Sequence, residues 1–348
     1  MNQLESIILH CLRQLNSERT VYSIYHLLNG KKSSQTIQDA HLFSLKNFFG
    51  VYESLTREAF EEKLKFMVNK DQISICGDQR YCLTTIGEML LKNNPPPSFI
   101  DGWNYQSFTT LFWERLSLLI QVTSNFVYGE TKYTPIQKNK DVHQWLKTVV
   151  REINVPKQEM GNAVFSELVH CFENCMEVDP AILVFRLTGF QQIGLTQQQV
   201  AKKLNMELHD YHIRFIHVLH YLIHKIYQES NQLRILPLLI RDFNHIDELT
   251  LSSRKTWNLL TQGYSPEQIA ALRHLKLSTI EDHFVEFALH INDFSIDSYV
   301  SKELQDEILS ISRKEETRQL KLIRDKLRIA SYFQIRLVLA KFGGESWN

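Results

Sequence analysis

The feature that most constrains this fold is a pair of capped helices in the last third of the chain. One helix is expected to end at Gly263, a residue that readily adopts the left-handed conformation of a helix C-terminus. The next helix begins with Ser265 as N-cap, Pro266 at the first helical position and Gln268 placed to complete a capping box. After a short turn, Ser278 is expected to cap a third helix. All these signals agree with one geometry and predict a helix-turn-helix unit.

The N-terminal part of the chain carries a different pattern. Apolar residues recur at helical spacing from Leu4 to Leu15, and further helices are expected at residues 21–28, 40–49 and 56–68. Two short alternating runs, 73–76 and 81–84, then flank a Gly-Asp turn and predict a β-hairpin. Helices followed by a single hairpin are typical of a winged helix.

Glycine (12 residues) and proline (8 residues) are scarce, which favours a mainly α fold with short connections. The three prolines from Pro95 to Pro97 cannot continue a helix and favour an extended spacer. We therefore expect a winged-helix-like domain with a small β-hairpin, a helical middle domain and a C-terminal helix-turn-helix domain. Their expected ranges are 1–94, 95–245 and 246–348. The middle domain contains a second helix-turn-helix-like segment, in which Thr196 caps a short helix.

The run from Thr250 to Phe342 resembles the helicase helix-turn-helix domain family, in particular its YpbB-like form. The resemblance rests on Gly263 to Ser265, on Leu277 to Ile280 and on the tail from Ser331 to Leu337. In this family the domain occurs fused to, or encoded beside, RecQ-type DNA helicases. The resemblance implies a DNA-repair accessory that acts with a RecQ-type helicase on duplex or branched DNA.

The overall charge limits where DNA contact is expected. The chain has 39 basic and 39 acidic residues, so any DNA contact must come from local patches. The candidate recognition helix, Thr279 to His290, contains three carboxylates and neither Lys nor Arg, which makes it a poor reader of a polyanion. In this unit, contact is expected from the turn and the start of the helix, at Arg273, His274, Lys276, Thr279 and His283.

A basic segment follows this unit. From Arg313 to Lys341 there are nine basic and three acidic residues. Four of the basic residues are spaced 4, 3 and 7 positions apart, which predicts one face of a helix suited to phosphates. They are Lys314, Arg318, Lys321 and Arg328. The alternative is a solvated helix face that pairs with its own acids.

The winged helix offers two further candidate DNA contacts, Lys63 and Arg80. Acidic residues on the same helix as Lys63 weaken this case, and winged helices also serve as protein-docking modules. DNA contact and protein docking therefore both stay open for this domain.

No pattern of a catalytic or cofactor site emerges. Residues Gly30 to Ser33 superficially suggest a phosphate loop, but Tyr25 replaces the required glycine and no strand precedes it. Neither enzymatic activity, nor a cofactor, nor a metal is expected. His217, His220 and His224 share one helix stripe that could hold a metal, although a polar stripe between helices is the more ordinary interpretation. Cys76 and Cys82 are interpreted as small buried hydrophobic residues.

No apolar run approaches the roughly 18 to 20 residues that span a bilayer. The segment from Met1 to Glu5 lacks the basic region of a signal peptide, so a cytoplasmic location without a membrane partner is expected. The leading hypothesis is a non-enzymatic accessory that docks on a RecQ-type helicase and helps target it to DNA. The alternatives are a protein–protein adaptor without DNA contact and a helix-turn-helix transcription regulator.

Overall fold

The structure is a computed structural model that describes residues 2–173, 175–243 and 249–343. Over these residues the chain forms eighteen α-helices and one two-stranded sheet, which confirms the mainly α fold class. Its contacts divide it into two compact units. Unit 1 comprises Met1–Ile7 and Asn94–Ile246, and unit 2 comprises Ile8–Asn93 and Asp247–Asn348. In the described residues, no helix is long and apolar enough to cross a membrane.

The two units bear on the expected division into three domains. The change of unit after Asn93 lies next to the boundary predicted from the prolines. The N-terminal and C-terminal segments, however, belong together in unit 2, although the sequence treats them as separate domains. The predicted boundary between residues 245 and 246 lies outside the described residues. Whether the three segments fold independently remains a prediction.

The N-terminal segment is a winged helix, with a hairpin that follows its fourth helix. Its elements are α1 (Gln3–Leu15), α2 (Tyr22–Leu28), α3 (Ser34–Leu42), α4 (Arg57–Asn69), β1 (Ile73–Gly77), β2 (Arg80–Leu83) and α5 (Thr85–Asn93). The strands pair antiparallel with Ile73 opposite Leu83, and a bulge follows Ile75. At Gly87 a side chain would collide with the carbonyl oxygen of Gln72, 2.1 Å from an added Cβ, so glycine lets α5 pass close to β1.

The third helix departs from the sequence-based expectation of a helix at 40–49. It begins after Ser33, whose hydroxyl accepts a hydrogen bond from the Thr36 amide, and it ends at Leu42. Ser44 then adopts a left-handed conformation (φ 54°), and only a short 3₁₀ turn, Lys46–Phe48, follows. The expected range was therefore wrong, because the serine cap lies upstream of the apolar residues that suggested it.

The middle segment is entirely helical apart from its connections. Its helices are α6 (Gly102–Tyr105), α7 (Thr109–Val127), α8 (Lys140–Glu152), α9 (Lys157–Phe172), α10 (Ala181–Val184), α11 (Gln197–Lys203) and α12 (Leu208–Gln228). Thr196 and Gln199 form the reciprocal capping box at the start of α11. The predicted cap of the second helix-turn-helix-like segment is thus confirmed.

The C-terminal segment holds the helix-turn-helix unit and three helices beyond it. They are α13 (Leu251–Thr261), α14 (Pro266–Arg273), α15 (Leu277–His290), α16 (Lys302–Lys314), α17 (Leu320–Lys326) and α18 (Tyr332–Phe342). The predicted capping box of Ser265 and Gln268 is present. The predicted Ser278 cap is wrong, since α15 begins two residues earlier than expected, at Leu277, with Lys276 at the N-cap position.

A candidate nucleic-acid interface in unit 2

The helix α15, the predicted recognition helix, is buried within unit 2 from His283 to Ala288, while its start is more exposed. It packs against α13 and α14 of its own motif and also against α3 and α18. His283 on this helix is only 6% exposed, and its Nδ1 lies 2.8 Å from the hydroxyl oxygen of Thr256. Burial lowers the pKa of His283 to about 4, so the imidazole is neutral at pH 7. The expected DNA contact by His283 does not fit this position, because an enclosed neutral ring offers no charge to a phosphate.

The turn before α15 contains the other residues predicted from this motif. The Arg273 guanidinium donates to the Ser252 carbonyl at 2.8 Å and hydrogen-bonds the Thr256 hydroxyl, so it ties α14 to α13. The Arg273 guanidinium therefore holds these two helices together and is not free to contact DNA. His274 and Lys276 are exposed at the turn, and Thr279 is half-buried. The two exposed residues are the ones from this motif that DNA can reach.

The basic segment does not form the single helix face that its spacing predicts. Lys314 ends α16, Arg318 lies in the link, Lys321 is on α17, and Arg328 follows α17. The break occurs at Glu316, which is left-handed (φ 45°). Next to it, the Ser312 hydroxyl donates to the Thr317 carbonyl at 2.8 Å. The predicted helix face was therefore wrong, although Lys314, Lys321 and Arg328 are all exposed.

The N-terminal and C-terminal segments of unit 2 are joined by a polar network. The Arg336 guanidinium on α18 donates to Asp282 at 2.6 Å and to the side-chain oxygen of Gln38 at 3.1 Å. The Gln38 amide donates in return to the Arg336 carbonyl at 3.0 Å. On the other side, the Arg318 amide donates to Glu18 at 2.7 Å. These contacts hold α3 against α18 and the end of α1 against the link before α17.

A cleft of about 820 Å³ opens between these segments. Five cationic side chains and three carboxylates line it, so positive charge is in excess by two. The residues are Arg19, Lys31, Arg80, Lys321 and Arg336 on the basic side, and Glu18, Asp39 and Asp282 on the acidic side. We call this the basic cleft.

The carboxylates of the basic cleft already have partners. Asp39 accepts from Arg19 Nε at 2.9 Å, and Asp282 accepts from Arg336. Burial raises the pKa of Asp39, and the charge of Arg19 opposes this shift. Burial likewise raises the pKa of Glu18. The acids therefore belong to the network that holds the cleft together.

Three cations of the cleft have no such partner. Lys31 follows α2, Arg80 lies in the hairpin, and Lys321 lies on α17. Across the part of the chain that the structure describes, none of the three side chains forms an ion pair or hydrogen bond. The hairpin is fixed beside the cleft, because the Val21 amide donates to the Gln79 carbonyl at 2.8 Å. Three separate segments thus bring unpaired positive charge to one concave surface.

Of the two residues predicted from the winged helix, only Arg80 reaches this surface. Lys63 is buried (8% exposed), and its ammonium lies 5.2 Å from the centre of the Phe66 ring. DNA contact by Lys63 does not fit this position, because its side chain is buried within the segment. The sequence missed Lys31 and Arg336 as lining residues. The two consecutive lysines after Gly30 could have predicted a basic loop at Lys31, although their pattern suggested only a phosphate loop.

The hairpin also corrects the interpretation of its cysteines. Cys76 and Cys82 form a disulfide, Cys76 is exposed, and Cys82 is half-buried. The hydroxyl of Ser17 lies 3.3 Å from the Cys76 sulfur and 3.0 Å from the Cys82 sulfur. The bulge after Ile75 brings the two cysteines near each other across the strands. They are therefore a surface cross-link in the hairpin rather than buried hydrophobic residues.

The histidine stripe of α12 is engaged inside unit 1. His220 Nδ1 accepts from the Asp101 amide at 3.0 Å, and its Nε2 lies 3.0 Å from the Thr109 hydroxyl. The His217 ring stacks on Phe99. Burial lowers the pKa of His217 to about 4 and that of His220 to about 3. Within the described ranges, no group of three or more His, Cys, Asp or Glu side chains is arranged to hold a metal ion.

Comparison with known proteins decides the family. Residues 252–339, from α13 to α18, match the model of a helix-turn-helix domain family. Over 347 residues the chain is 34% identical to protein YpbB of Bacillus subtilis (strain 168), and this alignment covers 98% of each of the two chains. The chain belongs to the YpbB family. No solved structure matches it. Within this family member the basic cleft is lined partly by the matched domain, through Lys321 and Arg336, and partly by the winged helix, through Lys31 and Arg80.

Proposed function

We propose that this YpbB-family protein is a non-enzymatic DNA-binding accessory of a RecQ-type helicase, and that duplex or branched DNA contacts unit 2 at the basic cleft. The observation that carries the proposal is the convergence of Lys31, Arg80 and Lys321, three unpaired cations from separate segments. Lysine and arginine side chains supply most phosphate contacts in protein–DNA complexes. The helix-turn-helix family match supports the same class of ligand.

The geometry favours contact with the DNA backbone over base reading. The helix α15, which would read bases in the major groove, packs against α3 and α18, and its exposed start at Leu277 and Ser278 carries no cation. The unpaired cations of the cleft lie after α2, in the hairpin and on α17. Lys276 and Lys314 are further exposed lysines of unit 2. Contacts of this kind position a protein on DNA without specifying sequence. We therefore expect salt-dependent binding with little sequence preference.

Fluorescence anisotropy with a labelled duplex tests this proposal. The triple variant Lys31→Ala/Arg80→Ala/Lys321→Ala should weaken binding and flatten the plot of log affinity against log salt by about 0.9 per lost phosphate contact. A matched control is Lys92→Ala/Lys255→Ala/Lys302→Ala, which removes three exposed lysines of unit 2 outside the cleft. Equal affinity and slope in the two triple variants would assign DNA binding to another surface.

The helicase partner is tested by co-purification. The tagged protein would be recovered from its native cells at moderate salt, with and without nuclease treatment. Recovery of a RecQ-type helicase that survives nuclease indicates direct docking, and a mixture of the two purified proteins then measures the affinity. Recovery that disappears with nuclease indicates that DNA alone links the two proteins.

A second candidate function is a protein adaptor without DNA contact, and one feature of unit 1 favours it. An apolar groove of about 590 Å³ lies along α7, α9 and α10. Phe165, Val169 and Val184 in this groove are 66%, 40% and 53% exposed. Exposed apolar surface of this kind marks protein interaction sites. The adaptor would bind the helicase yet show no salt-dependent affinity for DNA.

A further inference from the structure

A second basic surface lies in unit 1, whereas all the predicted DNA contacts belong to unit 2. It surrounds a pocket of about 410 Å³ whose floor is apolar. The floor is formed by Leu118, Val122 and Phe126, which recur every four residues along α7 and so share one face. Tyr133 and Pro135, in the loop after α7, form one side of the pocket. We call this the amphiphilic pocket.

The lining of the pocket also includes three basic residues. Lys147 and Arg151 lie four residues apart on one face of α8, and Lys157 begins α9. All three side chains are exposed, and within the described residues none of them forms an ion pair. The neighbouring acid, Glu152, is engaged by Arg241, whose Nη2 donates to it at 3.0 Å. No carboxylate is among the described residues that line the pocket, so its lining carries a net positive charge.

The loop that carries Tyr133 is held in place by buried polar contacts. The Gln121 side chain, 4% exposed on α7, donates to the Thr134 carbonyl at 3.0 Å and accepts from the Ile136 amide at 2.8 Å. His143 on α8 donates from Nε2 to the Gln137 carbonyl at 2.6 Å. These contacts hold the backbone around Tyr133, whose side chain lines the pocket, without a ligand. The pocket is a preformed site, since its aromatic side does not depend on a mobile loop.

An apolar pocket with aromatic rings and a row of unpaired cations suits a flat ring that carries anionic groups. In single-stranded DNA a base is free to leave its stack and pack on an aromatic side chain, while adjacent phosphates meet lysine and arginine. In a duplex the bases are stacked and paired, and removing one costs free energy.

We infer that unit 1 binds single-stranded DNA, with a base packed against Tyr133 and Phe126 and with phosphates at Lys147, Arg151 and Lys157. This ligand and site go beyond the proposed function, with which the inference shares only DNA as the ligand. Lys157 is placed to serve both parts of a nucleotide, because its ammonium lies 5.5 Å from the centre of the Phe126 ring.

The test uses the full chain and a short labelled oligothymidylate, followed by fluorescence anisotropy. Tyr133→Ala should weaken binding roughly 5- to 150-fold, the affinity equivalent of one stacked base. Tyr133→Phe should bind like the native protein, because it keeps the ring. Lys147→Ala/Arg151→Ala, which alters only exposed side chains, should flatten the salt dependence by about 0.7 per lost phosphate contact. Lys202→Ala/Arg234→Ala is the control, because it removes two exposed cations of unit 1 outside the pocket.

An abasic strand of the same length separates base packing from simple charge attraction. It should bind more weakly than oligothymidylate and should not respond to Tyr133→Ala. Equal binding of the two strands, or equal binding by Lys147→Ala/Arg151→Ala and its control, would overturn the inference. The cleft variant Lys31→Ala/Arg80→Ala/Lys321→Ala is measured in parallel. Unchanged duplex binding in that variant rejects the basic cleft, whereas single-strand binding that depends on Tyr133 still supports the pocket.

Discussion

The basic cleft of unit 2 and the amphiphilic pocket of unit 1 both present unpaired cations, but their surroundings differ. The cleft is polar: Asp39 and Asp282 pair with Arg19 and Arg336, and hydrogen bonds between Gln38 and Arg336 hold the winged helix to the helix-turn-helix domain. The pocket has an apolar floor from α7 and an aromatic side at Tyr133. Positive charge over a polar surface favours phosphates alone, whereas positive charge beside an apolar hollow also accepts a base. We therefore expect the residues around a cation, polar in the cleft and apolar in the pocket, to determine which form of DNA binds.

Reversing charge at each site should separate the two DNA forms, and this is the largest expected effect. In Lys31→Glu/Arg80→Glu/Lys321→Glu, each carboxylate faces a phosphate, and like charges in contact cost several kcal/mol. Duplex affinity should fall at least about a hundredfold. Oligothymidylate binding should stay within about twofold, and Lys147→Glu/Arg151→Glu should show the opposite pattern. Parallel anisotropy titrations measure both, and equal loss of both ligands in either variant would mean that the sites are not distinct.

The network behind the cleft offers a second test. Arg336→Met keeps a long side chain but leaves Asp282, Gln38 and Ser34 without their shared partner. The free energy of unfolding should fall by about 1 to 3 kcal/mol, as for other lost hydrogen bonds to a charged group. Duplex binding should weaken with it, because the same contacts hold the walls of the cleft.

Urea unfolding and duplex titration of Arg336→Met are compared with Arg324→Met. Arg324 is exposed on α17, and its guanidinium lies 4.4 Å from the centre of the Tyr332 ring. The control should be near the native stability. A variant at Arg336 that keeps both native stability and native duplex affinity would show that the network does not shape the cleft.

Local signals in the sequence predicted the elements well. The N-cap Thr196, the capping box of Ser265 and the hairpin after α4 were predicted because each depends on residues only a few positions apart. The break at Glu316 was not predictable in this way, since neither glycine nor proline marks it. A left-handed glutamate at the end of a helix leaves no signature in the pattern.

The basic cleft could not be predicted, because it depends on residues about 300 positions apart, such as Gln38 and Arg336. Such pairs follow no period and leave no mark in one sequence. The burial of α15, by contrast, could have been predicted from its sequence. Apolar Val285 and Ala288 lie on a different face from Ile280, so the helix is apolar around much of its circumference. A helix of that kind is expected inside a domain rather than in a DNA groove.

Acid should destabilise unit 2 through His283. Because burial lowers its pKa from 6.5 to about 4, the unfolded chain binds a proton that the folded chain does not between these values. Stability is therefore fully present above pH 6.5 and is lost as the pH falls toward 4, by at most about 1.4 kcal/mol per pH unit. Buried His217 and His220 should act with the same sign in unit 1.

Urea unfolding between pH 7 and pH 4 measures this effect in the native protein and in His283→Gln. The variant should lose less stability per pH unit, because one of the linked protons is removed. Glu286, whose pKa burial raises, acts with the opposite sign in both proteins and so cancels in the difference. Identical pH profiles for the two proteins would mean that folding leaves the pKa of His283 unchanged.

The smallest expected effect is a difference in salt dependence between the two DNA forms. A neutralised phosphate contributes a slope of about 0.9 on a duplex but about 0.7 on a single strand, because the single strand condenses fewer counterions. If the cleft and the pocket each contact phosphates through three cations, the native protein should show the steeper slope with the duplex. The slopes are measured by titrating both labelled DNAs over one salt series.

In Tyr133→Ala the single-strand affinity should fall while its slope stays constant, since a stacked base releases no counterion. A slope that changes with the ring would mean that Tyr133 only positions the neighbouring lysine and arginine side chains, and the contrast between the two surfaces would then be one of charge alone.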